Sequence, residues 1–143
     1  MKTGLSLQEA SIRMTNHALP AAERTPWKHF AASEFRHAVP SCDPIQMSSS
    51  FMEAIEEVRE RSGVPMHINS AFRSHAYELS KGRSGNSYHC AGCAIDIACD
   101  NSVSRYKLIE AAMHFGKLSM VIHPTYIHFD NRPVHKIILE SCR

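Results

Sequence analysis

Apolar and polar positions change their period several times along the chain, and each change marks an element. From Ser50 onward, Phe51, Ile55 and Val58 recur at the spacing of one helix face, while Glu56, Glu57, Arg59 and Glu60 fall largely outside it. Ser50 and Glu53 stand three apart, as in a capping box, and Gly63 follows as glycine does just past a helix end. The same period predicts a second helix over Ser102–Phe115, with Leu108, Ile109, Ala112 and Phe115 inward and Gly116 closing it. Residues 64–70 and 93–99 read as strands. Three more short strands are expected at 118–122, 126–130 and 134–139. The short turns His123-Pro124-Thr125 and Asn131-Arg132-Pro133 suit antiparallel pairing. Residues 72–88 are polar, with Gly82 and Gly85, and have room for one helical turn around 75–80. They are not a P-loop, because no Gly-Lys-Ser/Thr ending is present. Residues 1–47 are the least regular. Pro20, Pro26, Pro40 and Pro44 break any long helix there, a short helix is plausible over 7–17, and Trp27, Phe30 and Phe35 are expected to pack onto the main body.

Helices mixed with short antiparallel strands predict an α+β domain. At 143 residues the chain has the size of one domain, and one hydrophobic core is enough to fold it. A net charge of +2 is weak and gives no reason to expect nucleic acid, where a concentrated basic face should appear. No run of about 18 apolar residues is present, so no membrane insertion is expected. The first residues, MKTGLSLQEASIR, lack the apolar run of a secretory signal, which predicts a chain made and left in the cytoplasm. Five cysteines (42, 90, 93, 99 and 142) at irregular spacing do not form a disulfide framework and are expected to be reduced thiols. Ten histidines is a high count, and the question becomes which of them converge.

Two segments answer it. In the strand at 93–99, Cys93, Ile95, Ile97 and Cys99 point one way, and Ala94, Asp96 and Ala98 the other. Two alanines leave room beside the Asp96 carboxylate, which when buried needs a cation or donors. Gly92 permits a sharp turn that brings His89 back over the same face. In Tyr126-Ile127-His128-Phe129-Asp130, Ile127 and Phe129 read as core, and Tyr126, His128 and Asp130 share the opposite face. If the two strands are neighbours, His128 and Asp96 converge. Two imidazoles and one carboxylate make a catalytic type of zinc site with a fourth position open to water. Zinc lowers the pKa of such a water from roughly 15.7 to about 7 and polarises a carbonyl.

The motif Ser87-x-His89-x-x-Gly92-x-Ala94-x-Asp96, followed downstream by a strand carrying His128, resembles that of the zinc D-Ala-D-Ala metallopeptidases. That family includes D-Ala-D-Ala carboxypeptidases, murein endopeptidases and phage endolysins. Ser70-Ala71-Phe72-Arg73-Ser74 resembles the family's Ser-Gly-Tyr-Arg-Ser segment, and residues 126–130 resemble its last-ligand strand. The resemblance covers roughly residues 33–133. It implies a single domain over 1–143, in which residues 1–32 form an extension packed on the core. The implied fold is the Hedgehog/DD-peptidase fold, a small antiparallel sheet with flanking helices. It further implies zinc on His89, Asp96 and His128, Arg73 in the pocket for a substrate carboxylate or an oxyanion, and Ser87 in support. Tyr126 is expected beside the substrate. Some members carry Glu three residues before the last ligand, where this chain has Thr125. Others carry His two residues before it, where it has Tyr126. His123 matches a further histidine of some members and is the favoured acid/base group, with Asp130 as runner-up or as the partner that orients His128.

The function implied is zinc-dependent hydrolysis of D-amino-acid-containing peptide bonds in peptidoglycan stem peptides or cross-links. The protein would be a monomer, and it would reach the cell wall after release, as a phage lysin does. Its partner would be the peptidoglycan peptide. Two rivals are a non-catalytic zinc-containing binding domain of the same fold, as in Hedgehog signalling, and a thiol protein using Cys90 and Cys93. Cys90-x-x-Cys93 has the spacing of a zinc knuckle, but a second Cys/His pair close by is missing. His17, His29, His37, His67, His75, His114 and His135 are expected to be surface or structural groups.

Overall fold

The computed structural model describes residues 19–140. The helix expected over 7–17 and Cys142 lie outside them. The described elements are α1 (Ala32–Arg36), α2 (Ser49–Ser62), β1 (Ile68–Ser70), α3 (His75–Ser80), β2 (Ala94–Ala98), α4 (Ser102–Phe115), β3 (Ser119–Ile122), β4 (Tyr126–Asp130) and β5 (Ile137–Leu139). Short 3-10 turns occupy Ala21–Glu23, Pro44–Gln46 and Tyr88–Ala91. This is an α+β fold. No helix of the described residues is long and apolar enough to cross a membrane.

The sheet runs β1-β2-β4-β3-β5. β4 is central: β2 pairs with one of its edges and β3 with the other, both antiparallel. Its apolar residues, Ile127 and Phe129, are fully buried beside Ile95 and Ile97 of β2 and Met120 of β3. Phe51, Met52, Ile55 and Val58 of α2 and Leu108, Ala111 and Ala112 of α4 complete this core. Trp27, Phe30 and Phe35 belong to the same core, with Phe35 between the other two at ring distances of 5.7 and 6.0 Å.

Three expectations are corrected. The sheet is mixed rather than antiparallel, because β5 pairs parallel with β3. Both edges of β4 are already taken, so the chain after Asn131 must cross to the free edge of β3. Ser119 guides that crossing: its hydroxyl donates to the Val134 carbonyl at 3.4 Å and accepts from the Lys136 N–H at 2.8 Å. Second, α2 is capped by Ser48, not Ser50. Ser48 is extended, its side chain accepts from the Phe51 N–H, and its own N–H is held by the Gly92 carbonyl at 2.9 Å. That tertiary bond makes Ser48 the last non-helical residue of a serine run. Third, the strand expected over 64–70 is paired only at Ile68–Ser70, although Val64 and Met66 are buried.

Gly92 ends the 3-10 turn Tyr88–Ala91. Its φ of +69° lies in the left-handed region, and a Cβ there would stand 2.3 Å from the Gln46 carbonyl oxygen. Gly63 has a similar φ of +63° with nothing within 4 Å. Gly63→Ala should therefore cost about 1 kcal/mol, the left-handed penalty alone. Gly92→Ala should cost at least about 2 kcal/mol more, since backbone must move. Urea unfolding of both variants measures the difference.

Candidate metal centre

The sheet register builds the centre. Ser70 of β1 stands opposite Asp96 of β2, and Asp96 stands opposite His128 of β4. Opposed residues of antiparallel strands share a face. A hydroxyl, a carboxylate and an imidazole thus lie in one row across three strands. An irregularity between Ile68 and Ser70 brings Ser70 into that row. Ala94 and Ala98 flank Asp96 and lie opposite Asp130 and Tyr126. His89 comes from the 3-10 turn Tyr88–Ala91, which Gly92 ends in its left-handed conformation. The turn is closed by the Cys93 N–H on the Tyr88 carbonyl at 3.0 Å.

Each imidazole is tied at one nitrogen and turned towards Asp96 with the other. His89 is buried. Its Nδ1 lies 2.6 Å from the Ala71 carbonyl oxygen, which can only accept, so Nδ1 carries the proton. Its Nε2 faces Asp96 Oδ1 at 3.3 Å. His128 Nε2 lies 2.8 Å from Asp130 Oδ2, and its Nδ1 lies 2.9 Å from Asp96 Oδ1. The two rings are 5.1 Å apart. One ligand atom from each of His89, Asp96 and His128 can be chosen so that all lie within 4.8 Å of one another. Among the described residues this is the grouping that fits a metal ion. The fit rests on donor chemistry: two nitrogens and a carboxylate oxygen converge, and both outer nitrogens have acceptors.

Arg73 holds the other oxygen of Asp96. Its Nη2 donates to Asp96 Oδ2 at 2.8 Å, its Nε to Ser70 Oγ at 2.8 Å and its Nη1 to Glu78 Oε1 at 3.4 Å. The Arg73 N–H also donates to the His89 carbonyl at 3.2 Å, joining the arginine segment to the histidine turn. Electrostatics follow from these contacts. Burial pushes the Asp96 carboxyl up, but His128 and His89 more than reverse this and hold it well below the usual range. Burial pushes His128 down, and the bonds to Asp130 and Asp96 raise it above its ordinary value. Asp130 is fully buried. Burial pushes its carboxyl up, while Arg132 and His128 bring it well below normal.

Of the other residues singled out in the sequence, Asp130 lies on His128 at Nε2, the nitrogen opposite the one facing Asp96. It also accepts from Arg132 Nε at 2.8 Å. Ser87 donates to Glu78 Oε1 at 2.9 Å and reaches the centre only through that carboxylate. Tyr126 is half-buried, and His123 stacks on its ring at 4.0 Å and 13°. Thr125 is exposed. The four described cysteines are free thiols, and none belongs to the ligand cluster. The sequence reading missed Glu78, Arg132 and the Ala71 carbonyl. Glu78 carried a faint signal, a lone acid between Arg73 and Arg83 in a polar segment. A backbone carbonyl carries none.

A profile of the family described as Peptidase M15 matches residues 28–130. No curated protein and no solved structure matches the chain.

Metal binding requires His128 to be neutral. Its folded-state pKa is raised, so the stability it lends the metal-free chain is fully present below about 6.5 and lost as pH rises through the folded value. Added Zn2+ should therefore bind more tightly as pH rises through that value, releasing a proton. Calorimetry in buffers of different ionisation enthalpy measures that release. Asp130→Asn keeps an acceptor near His128 but removes the charge. It should weaken Zn2+ binding about 10- to 100-fold, and competition with a chromophoric chelator reads the loss.

Proposed function

The chain belongs to the Peptidase M15 family, and on that premise we propose that it is a zinc-dependent peptidase acting on peptidoglycan stem peptides or cross-links. The family supports a metal-dependent peptidase. The observation that carries the reading is the pair of imidazoles, each tied at its outer nitrogen and turned to Asp96 with the other. Two nitrogens and one carboxylate oxygen suit zinc and leave a coordination position for substrate or water. Zinc bound there supplies Lewis acidity, making water acidic enough to act near neutral pH.

The chain's own residues supply the rest. Ala71 and Asp130 fix the ring orientations of His89 and His128. Arg73 is anchored by Ser70 and Asp96, while its Nη1 has only the long contact to Glu78. That tip is the group we assign to negative charge developing on the scissile carbonyl, or to a substrate carboxylate. Asp130 is fully buried between His128 and Arg132, so it serves to orient rather than to carry protons. His123, stacked on Tyr126 at the β3–β4 turn, is the proposed proton carrier, with Tyr126 lining the substrate path. A single chain carries all three ligands, so a monomer suffices. Action on the cell wall after release, as by a phage lysin, belongs to the same proposal.

A second reading, a zinc-containing binding domain without catalysis, is favoured by the exposed Thr125 and by Tyr126 at the places where relatives carry Glu or His. Digestion of purified peptidoglycan by the zinc-loaded chain, read by mass spectrometry, separates the two. New stem-peptide or cross-link fragments, absent with His128→Ala, would establish the peptidase. No fragments from a chain holding one zinc would favour the binding domain. His123→Ala should lower kcat by about 100-fold or more with zinc content unchanged. Full activity in that variant would remove His123 from proton transfer.

A further inference from the structure

Beside the metal ligands lies a cation that the reading above does not use. Arg83 sits in the loop after α3. Its backbone N–H donates to the Glu78 carbonyl at 3.0 Å, and its Nη1 donates to Glu78 Oε2 at 2.7 Å. Main chain and side chain are therefore both fixed to one residue. Glu78 is itself immobile: it is fully buried, lies within the short helix α3, and accepts from Ser87 and Arg73 on its other oxygen. The loop is pinned a second time by His75, whose Nδ1 lies 3.2 Å from the Gly85 carbonyl oxygen. A Cβ at Gly85 would meet that ring at 2.3 Å, so the contact is close. Exposed arginines in mobile loops sample many rotamers. This one is held in place.

Yet the guanidinium is far from spent. Half of the Arg83 side chain is exposed, and among the described residues only Nη1 has a hydrogen-bond partner. Its position is close to the chemistry. One carboxylate, Glu78, separates it from Arg73, which in turn holds Asp96. The charges of Asp96 and Arg83 act on each other, and both act on the Tyr126 phenol. Glu78 and Asp96 balance Arg73 and Arg83, and Asp130 balances Arg132. A divalent cation on the three ligands leaves this group with an excess of two positive charges.

We infer that Arg83 is a specificity-determining residue that takes a carboxylate of the peptide substrate close to the scissile bond. This rests on the peptidase reading of the same centre. The ligand chemistry is a carboxylate offered to the open edge of a planar, fixed guanidinium, an arrangement suited to charge-assisted and bidentate hydrogen bonds. Two sources can present it: the free C-terminus of a short peptide or an acidic side chain next to the scissile residue. Glu78 is the positioning residue. It holds Arg83 and Arg73 on its two oxygens and so fixes the spacing between the two cations.

The test uses two pairs of synthetic peptides on the zinc-loaded full chain. One pair differs only in a C-terminal carboxylate against a carboxamide. The other differs only in an acidic side chain against its amide. The quantity read is the ratio of kcat/KM, carboxylate over amide, within each pair. In the unmodified chain one pair should show a ratio of about ten or more, and Arg83→Gln should lower it about tenfold. The pair that responds identifies the source. Arg83→Lys, which keeps the charge but not the fork, should give an intermediate ratio. It also serves as the deciding variant if Arg83→Gln unfolds. The same ratio is read as Kd by calorimetry with uncleavable ketomethylene analogues, which separates this inference from the peptidase reading. A carboxylate preference in binding that falls in Arg83→Gln upholds the role of Arg83 even if nothing is cleaved. Ratios near one in the unmodified chain, or equal in chain and variants, overturn it.

Discussion

A carboxylate buried in the middle of a sheet is the constraint on which the rest of this structure depends. Asp96 is almost fully buried and stays ionised. Burying an unpaired carboxylate is expensive enough that a protein normally protonates it or surrounds it with donors. Here the surroundings are assembled from four places in the chain. β4 brings His128 through strand register, the turn before β2 brings His89 through Gly92, and the segment after β1 brings Arg73. The two alanines on the same face of β2 leave the space these groups occupy. One oxygen faces the imidazoles and the other faces the guanidinium. A divalent cation held by His89, Asp96 and His128 would answer the same electrostatic need.

Legibility from the sequence followed the range of the interactions involved. The helix over Ser102–Phe115 and the strand over Tyr126–Asp130 were readable to the residue, because periodicity and flanking turn residues act over a few positions. The convergence of His89, Asp96 and His128 is legible because it needs only alternation along two strands and one glycine turn. The cap of α2 was misplaced because a tertiary bond from Gly92 chooses among three serines, and local spacing does not contain that bond. The parallel pairing of β5 is not legible for a related reason. A short turn permits antiparallel pairing, but it says nothing about whether the neighbouring edge is already taken.

Asp130 shows the boundary most clearly. Strand alternation puts it on the face of His128, and chemistry alone leaves it free to be proton carrier or orienting partner. The ring orientation favours the second, and that orientation is set by Asp96 on the opposite nitrogen, thirty-two residues before His128. Arg132 then occupies the rest of the carboxylate, which leaves no lone pair pointed at a substrate. The orienting role proposed for Asp130 rests on a contact that begins on another strand.

The arginines divide by what they spend on the protein. Arg132 stands against a buried carboxylate, with its guanidinium 5.7 Å from the Tyr88 ring, and acts only through Asp130. Arg73 is mostly committed, with two short bonds and one long one. Arg83 is committed at a single nitrogen yet fixed at both backbone and side chain. A guanidinium with most of its donors free and little of its conformational freedom left has already met the ordering cost of binding an anion. Glu78 makes that possible, since one buried carboxylate holds both Arg73 and Arg83.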